Sequence, residues 1–215
     1  MVTIVTRQDR RKLRTRDALV GAAESLFAAR GPDAVSIDEI VARADIAKGS
    51  FYNHFDDKDD LVREIARVIR GEIEREVAAM NKGIADSAHC VAQALCVFAR
   101  FASRHPNRVR ALSHMHPSAT DPKAPINEGV RRDVMFGFAA GRFFATSRDA
   151  AILFVIGAVQ ASFHRASVIG ETATRQLAPA MAALLLNGLG LVPSEAETVA
   201  QAAAQAVFGK KRGTP

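Results

Sequence analysis

The sequence predicts an all-α protein with a small helical region near its N-terminal end and a larger helical body behind it. Apolar residues recur at helical spacing along most of the chain, whereas runs of β-branched residues in strict alternation are scarce. Pro and Gly fall mainly where these periodic segments end. Since 48% of the 215 residues are hydrophobic, the chain is able to bury a sizeable core.

The first helix is predicted to begin at Thr15, which is a suitable N-cap, and to end at Gly31 before Pro32. Residues 1–14 are expected to form a flexible basic arm of the kind that contacts phosphates or the minor groove, or else a solvated terminus with no such role. The first 16 residues hold six basic side chains against one acidic, whereas residues 1–58 hold ten against nine. The net charge of +6 therefore permits a polyanionic partner without localising one.

Two further helices are predicted between Ser36 and Phe55. Ser36 is a good N-cap, and Glu39 completes a capping box. After a turn near residues 44–46, the next helix would span residues 47–54 and would be held by Ile46, Phe51 and Phe55, because so short a helix is unstable alone. Its outward side chains are hydrogen-bond donors and one aromatic ring, which suits the major groove of DNA: Lys48, Ser50, Tyr52, Asn53 and His54.

The run AKGSFYNHF followed by DKDDL resembles the recognition helix and the start of the fourth helix in the tetracycline-repressor (TetR) family. Upstream, Ala22-Ala23, Leu26-Phe27 and Gly31 are similar to the first helix of that family, so the resemblance covers residues 15–61. Nine positions of the run match the family pattern in order: Lys48, Gly49, Ser50, Phe51, Tyr52, His54, Phe55, Lys58 and Leu61.

The resemblance implies an N-terminal three-helix helix-turn-helix DNA-binding head at residues 1–57 and a C-terminal helical ligand-binding and dimerisation bundle at residues 58–215. Ser50 and Asn53 would contact base edges, Tyr52 would contact base and phosphate, and the basic side chains would contact phosphate. Lys58 is alternatively an ordinary solvated lysine. The full set of DNA-contacting candidates is Ser36, Lys48, Gly49, Ser50, Tyr52, Asn53, His54 and Lys58.

Two residues depart from the family pattern. Asp45 stands where the family usually has Gly, and we expect it to adopt a positive φ, which Asp tolerates better than most residues. Ala47 stands where the family usually has Ser or Thr, so the recognition helix lacks a side-chain N-cap typically worth ~1 kcal/mol.

The remaining helices are predicted from periodicity. Asp57 would cap a fourth helix that runs to about Met80. Others are expected at residues 85–104, 107–115, 126–144, 148–168, 174–189 and 194–208, with a proline-containing loop at 116–125 and a basic tail at 210–212. Pro179 would kink the penultimate helix or delay its start.

In the family, the last two long helices of the body pair with their copies in a homodimer, and small residues here would allow close approach: Gly157, Ala158, Ala161, Ala180, Ala183 and Gly188. An internal core in a monomer is the alternative. The resemblance also implies an effector pocket. The candidate lining residues are Phe98, Phe101, Met115, Met135, Phe138, Gln160, Phe163 and His164. For each of them, ordinary packing in the core is the alternative.

No catalytic, cofactor or metal site is expected. The common hydrolase, P-loop, dinucleotide and zinc-protease motifs are absent from the sequence, and His114 and His116 match no standard zinc spacing. Cys90 and Cys96 lie six apart on one predicted helix, so a bridge between them is unfavourable. The N-terminal residues have no apolar signal-peptide core, and residues 150–163 are short for a membrane span, so we expect a cytoplasmic protein without a membrane partner.

The predicted function is therefore a ligand-responsive repressor that a small apolar or aromatic effector releases from a near-palindromic DNA operator. An activator, or a regulator without a ligand, is a first alternative. A helical small-molecule-binding protein or enzyme with a vestigial helix-turn-helix is a second alternative, which Asp45 and Ala47 keep open.

Overall fold

The computed structural model describes residues 7–113, 121, 123 and 127–209, and these residues form helices without a strand. The helices are α1 (Arg7–Arg30), α2 (Ile37–Ala44), α3 (Lys48–Phe51), α4 (Lys58–Asn81), α5 (Ser87–Arg104), α6 (Pro106–Ser113), α7 (Glu128–Ala139), α8 (Arg148–Gly188) and α9 (Pro193–Phe208). Predictions about residues 1–6, His114, Met115, His116, most of the loop that follows and the tail from residue 210 lie outside the described residues.

The chain forms two compact units. The first unit contains the described residues up to Ile69 together with residues 107–113. The second unit contains residues 70–106 and the described residues from 121 onward. The division falls inside α4, between Ile69 and Arg70, so this helix contributes to both units.

The first unit has a small core built from α1, α2, α3 and the start of α4. Phe27, Phe51, Phe55, Leu61 and Ile65 are each no more than 2% exposed. Helix α3 has only four residues, too few to be stable in water alone, so the burial of Phe51 holds it in place.

Helix α1 begins at Arg7, so the predicted start at Thr15 is wrong. The Thr15 hydroxyl donates to the Arg11 carbonyl (3.1 Å), one turn earlier in the same helix. The preceding residues extend the helix because Arg, Lys, Gln and Leu are good helix formers and no Pro or Gly interrupts them. The predicted end is confirmed, since Gly31 has φ 75° and its N–H donates to the Phe27 carbonyl (2.8 Å).

Helix α5 is the centre of the second unit. It packs against α7, α8 and α9, so its apolar residues are buried on more than one face, as predicted. Arginine side chains connect the surrounding elements. Arg104 pairs with Glu171 of α8 (3.0 Å), and Arg142 pairs with both Asp86 and Glu195 (2.8 Å each).

Helix α8 reverses direction at Gly170, where φ is 77° and ψ is 173°. A Cβ built at Gly188 would lie 2.4 Å from the Phe154 ring. In a straight helix these residues would be about 50 Å apart. The first segment (residues 148–169) and the second segment (residues 171–188) therefore fold back against each other.

The two predicted helices of this region are thus present, and the break at Gly170 lies between their predicted bounds. The predicted late start at Pro179 is wrong, because the second segment begins well before this residue. Pro179 has helical backbone angles, since Gly170 is the residue of α8 whose angles are non-helical. A proline in a helix removes one backbone donor, whereas the angles of Gly170 lie in a region open essentially to glycine alone. Chain reversal therefore occurs at the glycine.

Two other helices are shorter than predicted. Helix α3 ends at Phe51, and residues 52–54 form a turn in which the N–H groups of His54 and Phe55 both donate to the Phe51 carbonyl (2.9 and 3.0 Å). Helix α7 ends at Ala139 because Gly141 takes φ 65°, and Phe143 then returns to the core with 2% exposure.

Candidate functional site

The N-terminus of α2 has the predicted capping box. The Glu39 N–H donates to Ser36 Oγ (3.2 Å), and the Ser36 N–H donates to Glu39 Oε2 (2.8 Å). The backbone N–H of Ser36, the Arg30 guanidinium and the Ser36 hydroxyl together lower the pKa of Glu39 to about 2. The hydroxyl of Ser36 is therefore already engaged at the helix end.

The turn between α2 and α3 confirms the expectation for Asp45. This residue has φ 54° and ψ 50°, and its N–H donates to the Ala42 carbonyl (3.3 Å). The Ile46 N–H donates to the Val41 carbonyl (3.0 Å). Ala47 precedes α3 in an extended conformation and makes no side-chain cap, because its methyl group cannot accept a hydrogen bond.

We call residues 48–54 the recognition segment. It exposes Lys48, Gly49, Tyr52 and Asn53, and Tyr52 keeps 53% of its surface accessible. A Cβ added at Gly49 would meet nothing within 4 Å. This surface is therefore open for another molecule to approach closely, while Ser50 is half-buried beside it.

Aromatic packing fixes the recognition segment from beneath. The ring centroids of Phe51 and Phe55 lie 5.7 Å apart, and Tyr52 meets the Phe51 ring edge-on at 5.4 Å. The Arg16 guanidinium lies 5.2 Å from the centroid of Phe55. These contacts orient Tyr52 and Asn53 outward without a long helix, because the anchors are buried.

An acidic side chain, not anticipated from the sequence, lies at the predicted phosphate contact. Asp38 of α2 pairs with the Lys48 ammonium (2.7 Å), and this hydrogen bond raises the pKa of Lys48. Both side chains are exposed, so the pair lies on the open surface of the first unit. The capping residues Ser36 and Glu39 place Asp38 in the first turn of α2, which is the signal that sequence reasoning could have used.

His54 and Lys58 have neighbours that bear on their predicted phosphate contacts. Desolvation, followed by the charges of Lys12 and Arg16, lowers the pKa of His54, which favours the neutral imidazole. The Lys58 ammonium donates to the carbonyls of Pro32 (2.8 Å) and Val35 (3.2 Å), which holds the α1–α2 connection against the start of α4. A phosphate contact from Lys58 would add to this role or compete with it.

The second unit contains a pocket of about 830 Å³ bounded by the end of α4, α5, α7 and α8. Helix α5 forms one wall with residues three, four and seven positions apart, a helical face that includes Ser87, Cys90, Val91, Ala94 and Phe98. Helix α8 adds Val155 and Val159. The helical spacing of apolar residues along α5 could have indicated this wall from the sequence. The buried face of any helix has the same spacing, however, so the pattern does not identify a pocket.

Of the predicted effector-contacting residues, Phe98 lines this pocket. Phe163 and Phe101 are buried and are not among the lining residues, although the Phe163 ring meets Phe98 edge-on at 5.9 Å. His164 is exposed, and its Nδ1 lies 2.9 Å from the Gln160 carbonyl of the same helix. Met135, Phe138 and Gln160 are also not among the lining residues, and Met115 lies outside the described residues.

The predicted pairing face lies on the surface of the described chain. Gly157, Ala161, Ala180 and Gly188 of α8 are exposed, while Ala158 and Ala183 are half-buried. Large apolar side chains are also exposed on α8: Leu153 (47%), Phe154 (45%), Val168 (76%) and Leu184 (62%).

Within the described ranges, no group of three or more His, Cys, Asp or Glu side chains is placed to hold a metal ion. Both cysteines are present as thiols rather than in a disulfide. Helix α8 has the length and composition of a membrane-spanning helix, with mean hydropathy 1.5 over an 18-residue window of which 39% is buried. The core helix of a globular bundle meets the same criteria.

Family models match both parts of the chain. Residues 19–65 match bacterial regulatory proteins of the tetR family, and residues 86–202 match the tetracyclin repressor-like C-terminal domain. The second match alone spans more than half of the 215 residues.

Curated relatives match over short stretches of the chain. The Transposon Tn10 TetC protein of Escherichia coli is 48% identical over 48 residues, which are 22% of this chain and 24% of TetC. The HTH-type transcriptional repressor Rv3405c of Mycobacterium tuberculosis is 46% identical over 59 residues, or 25% and 31% of the two chains. The matched stretches therefore span 24% to 31% of the length of these two relatives.

Solved structures match over nearly the whole chain. RolR in complex with resorcinol has a TM-score of 0.58 and 26% identity, covering 96% of this chain and 97% of RolR. A gamma-butyrolactone receptor (ArpA-like protein) has a TM-score of 0.67 and 21% identity, covering 91% and 98%. Together with the two family matches, these similarities show that the chain belongs to the tetracycline-repressor (TetR) family, a family of transcription regulators and not of enzymes.

Proposed function

We propose that the protein is a cytoplasmic, homodimeric, ligand-responsive transcriptional repressor that binds a near-palindromic DNA operator. One observation carries this proposal. The recognition segment presents exposed hydrogen-bonding side chains on a short turn of helix whose aromatic anchors are buried, at the position that the family uses to read DNA.

The exposed side chains divide into two proposed roles. Asn53 and Ser50 read base edges in the major groove, and Tyr52 contacts both base and backbone. Lys48 contacts phosphate after leaving Asp38, and Gly49 lets the DNA backbone approach because no Cβ intervenes. Ser36, His54 and Lys58 complete the proposed contact set, with Ser36 and Lys58 keeping their structural bonds.

The exposed apolar face of α8 supports the homodimer. A cluster that includes Leu153, Phe154 and Leu184 among glycines and alanines is costly to leave in water, and a second copy of the same face would cover it. A twofold dimer would place two recognition segments in successive major grooves about 34–36 Å apart. This supports a near-palindromic operator.

The pocket of the second unit supports control by a small molecule. Its volume of about 830 Å³ lies in the range of small-molecule sites, and its walls are largely apolar. The similar structure of RolR contains resorcinol, a small aromatic compound, which is the kind of effector we propose. Effector binding would favour one arrangement of α4, the helix that contributes to both units, and operator affinity would fall by linkage.

The proposal is tested by fluorescence anisotropy with DNA that flanks the gene, at two salt concentrations, with random duplex as competitor. Tight binding that resists the competitor is expected. Binding no stronger than to random duplex would contradict the proposal and favour the alternative of a helical small-molecule-binding protein.

The division of roles predicts different effects for Asn53→Ala and Lys48→Ala. Loss of Asn53 should reduce discrimination between operator and random DNA by roughly tenfold, because base contacts carry about 1–3 kcal/mol of specificity. Loss of Lys48 should weaken binding to both DNAs and flatten the salt slope by about one. Equal losses on both DNAs for the two variants would refute these roles.

A further inference from the structure

Two polar side-chain atoms at one end of the pocket lack a hydrogen-bond partner. Asn81 Oδ1 and Ser87 Oγ are closed to solvent and have no hydrogen-bond partner among the described residues. Ser87 is only 4% exposed, and both residues line the pocket. The Asn81 amide nitrogen donates to the Cys90 carbonyl (3.2 Å), so the amide orientation is fixed and Oδ1 is the remaining acceptor.

The rest of this wall is apolar. Along α5 the face continues from Ser87 through Val91 and Ala94 to Phe98, about 16 Å away at the helical rise. Val155 and Val159 of α8 also line the pocket. The pocket therefore has a polar end beside Asn81 and Ser87 and an apolar length beyond it.

Charged side chains around the pocket leave no net charge to attract an ion. The lining residues include three arginines and three carboxylates: Arg70, Arg75, Arg132, Glu74, Glu128 and Asp133. Arg70 pairs with Glu74 (3.1 Å), and Arg132 pairs with Asp133 (3.0 Å). Glu128 pairs with Arg131 (2.6 Å), outside the lining, and Arg75 is an exposed side chain whose attraction for an anion is screened by water. A charged ligand would therefore have to break a pair or rely on this screened attraction, and both are unfavourable.

We propose that the pocket selects a neutral, hydroxyl-bearing amphiphile, an inference that rests on the proposed function because this ligand would be the effector. The ligand hydroxyl donates to Asn81 Oδ1 and accepts a hydrogen bond from Ser87 Oγ, while the apolar body lies along α5 toward Phe98. Binding satisfies two atoms whose desolvation is otherwise uncompensated, so the hydroxyl adds affinity as well as orientation.

The test uses three probes of similar size with the full-length protein and no DNA, measured by isothermal titration calorimetry. The probes are 4-butylphenol (neutral hydroxyl), butylbenzene (no polar group) and 4-butylbenzoate (anion). We expect 4-butylphenol to bind roughly tenfold more tightly than butylbenzene, a difference of about 1.4 kcal/mol, and 4-butylbenzoate to bind most weakly.

The variant Ser87→Ala tests whether the polar end of the pocket causes the preference for a hydroxyl-bearing ligand. It should weaken 4-butylphenol binding by about threefold to tenfold and leave butylbenzene binding unchanged. Ser103→Ala is the matched control, because Ser103 lies on the same helix, bonds to the Arg100 carbonyl (2.8 Å) and does not line the pocket. This control should bind all three probes as the unsubstituted protein does.

Equal affinity for 4-butylphenol and butylbenzene, tighter binding of 4-butylbenzoate, or no binding of any probe at millimolar concentration would overturn the proposed ligand class. Calorimetry without DNA keeps this result separate from the operator experiment. A protein that binds 4-butylphenol but not its flanking DNA would contradict the repressor proposal alone, and the converse result would contradict the ligand class alone.

Discussion

Asp38 is an acidic residue on the proposed DNA-contacting surface, where its negative charge would repel the DNA phosphates. Its carboxylate pairs with Lys48 and would face the phosphates that we propose Lys48 to contact. The variant Asp38→Asn should therefore raise affinity for random duplex by about threefold to tenfold and steepen the salt slope by about one. Anisotropy titrations with random duplex at several salt concentrations measure both quantities.

A charge-matched control separates this local effect from the change in net charge. Asp149→Asn removes one exposed carboxylate from the start of α8, in the second unit, and should leave DNA affinity within twofold. If both variants raise affinity equally, Asp38 has no special role at the contact surface.

Glu64 is a charged side chain buried in the first unit, with 8% of its surface exposed. It accepts hydrogen bonds from Arg67 (2.7 Å) and from Arg16, and these contacts, with Arg67 the larger, lower its pKa to about 2. Glu64→Gln should reduce the free energy of unfolding by about 1–3 kcal/mol, because the two guanidinium groups lose their anionic acceptor. Urea unfolding followed by circular dichroism at pH 7 measures this loss.

The pH dependence of this contribution has a defined direction. The folded pKa of Glu64 lies below its ordinary value of 4.5, so its stabilisation is fully present above pH 4.5. It is lost as the pH falls toward 2, and the stability difference between the two proteins should shrink in that window. Glu197→Gln, an exposed change in α9, should show neither effect, and a constant difference for Glu64→Gln would contradict the assignment.

At the scale of the element, α8 depends on one backbone conformation. The angles of Gly170 lie in a region that other residues adopt only under strain, and the reversal there brings Gly188 against Phe154. Gly170→Ala should therefore lower the free energy of unfolding by about 1–3 kcal/mol. Chemical denaturation of the purified variant measures it.

Gly21 provides the control for Gly170→Ala, because it is a glycine with ordinary helical surroundings. It lies inside α1, is exposed, and a Cβ there would meet nothing within 4 Å. Gly21→Ala should be neutral or stabilise the protein by up to about 1 kcal/mol, since alanine is the better helix former. Similar losses for both variants would mean that Gly170 is not a constrained position.

The elements that were predicted correctly are those with local causes. The capping box at Ser36, the positive φ of Asp45 and the C-terminal glycine of α1 each follow from a few neighbouring residues. Asp57 likewise caps α4, since its side chain accepts from the Asp60 N–H (2.7 Å). Patterns of this kind depend on backbone chemistry within one turn, so a sequence displays them directly.

The features that were missed depend on tertiary packing or on weak local preferences. No local pattern distinguishes Phe98, which lines the pocket, from Phe163, which does not. The pairing of Lys48 with Asp38 joins two helices across a turn, and only the folded chain brings the two charges together. The N-terminal turns of α1 were missed because many arginines suit an extended arm and a helix equally.

For the whole molecule, the exposed face of α8 predicts obligate pairing. Ala161→Glu should place two charges in the interface of the proposed homodimer, so the variant should sediment as a monomer and bind operator at least tenfold more weakly. Sedimentation-velocity ultracentrifugation and the anisotropy assay test the two parts.

The control for pairing is a second exposed alanine of the same unit. Ala79→Glu introduces the same charge at an exposed position of α4, outside the predicted pairing face, and should leave the association state unchanged. A dimeric Ala161→Glu protein with normal operator affinity would place the pairing surface elsewhere.

The position of Tyr52 has an optical consequence. The chain contains one tyrosine and no tryptophan, and that tyrosine lies in the recognition segment with 53% of its surface exposed. All intrinsic fluorescence excited at the red edge of the protein absorption band therefore originates from the proposed DNA contact. Quenching of this emission would report docking at the groove without a label. An effector that does not itself absorb near 280 nm would leave the Tyr52 emission unchanged unless its binding altered the recognition segment.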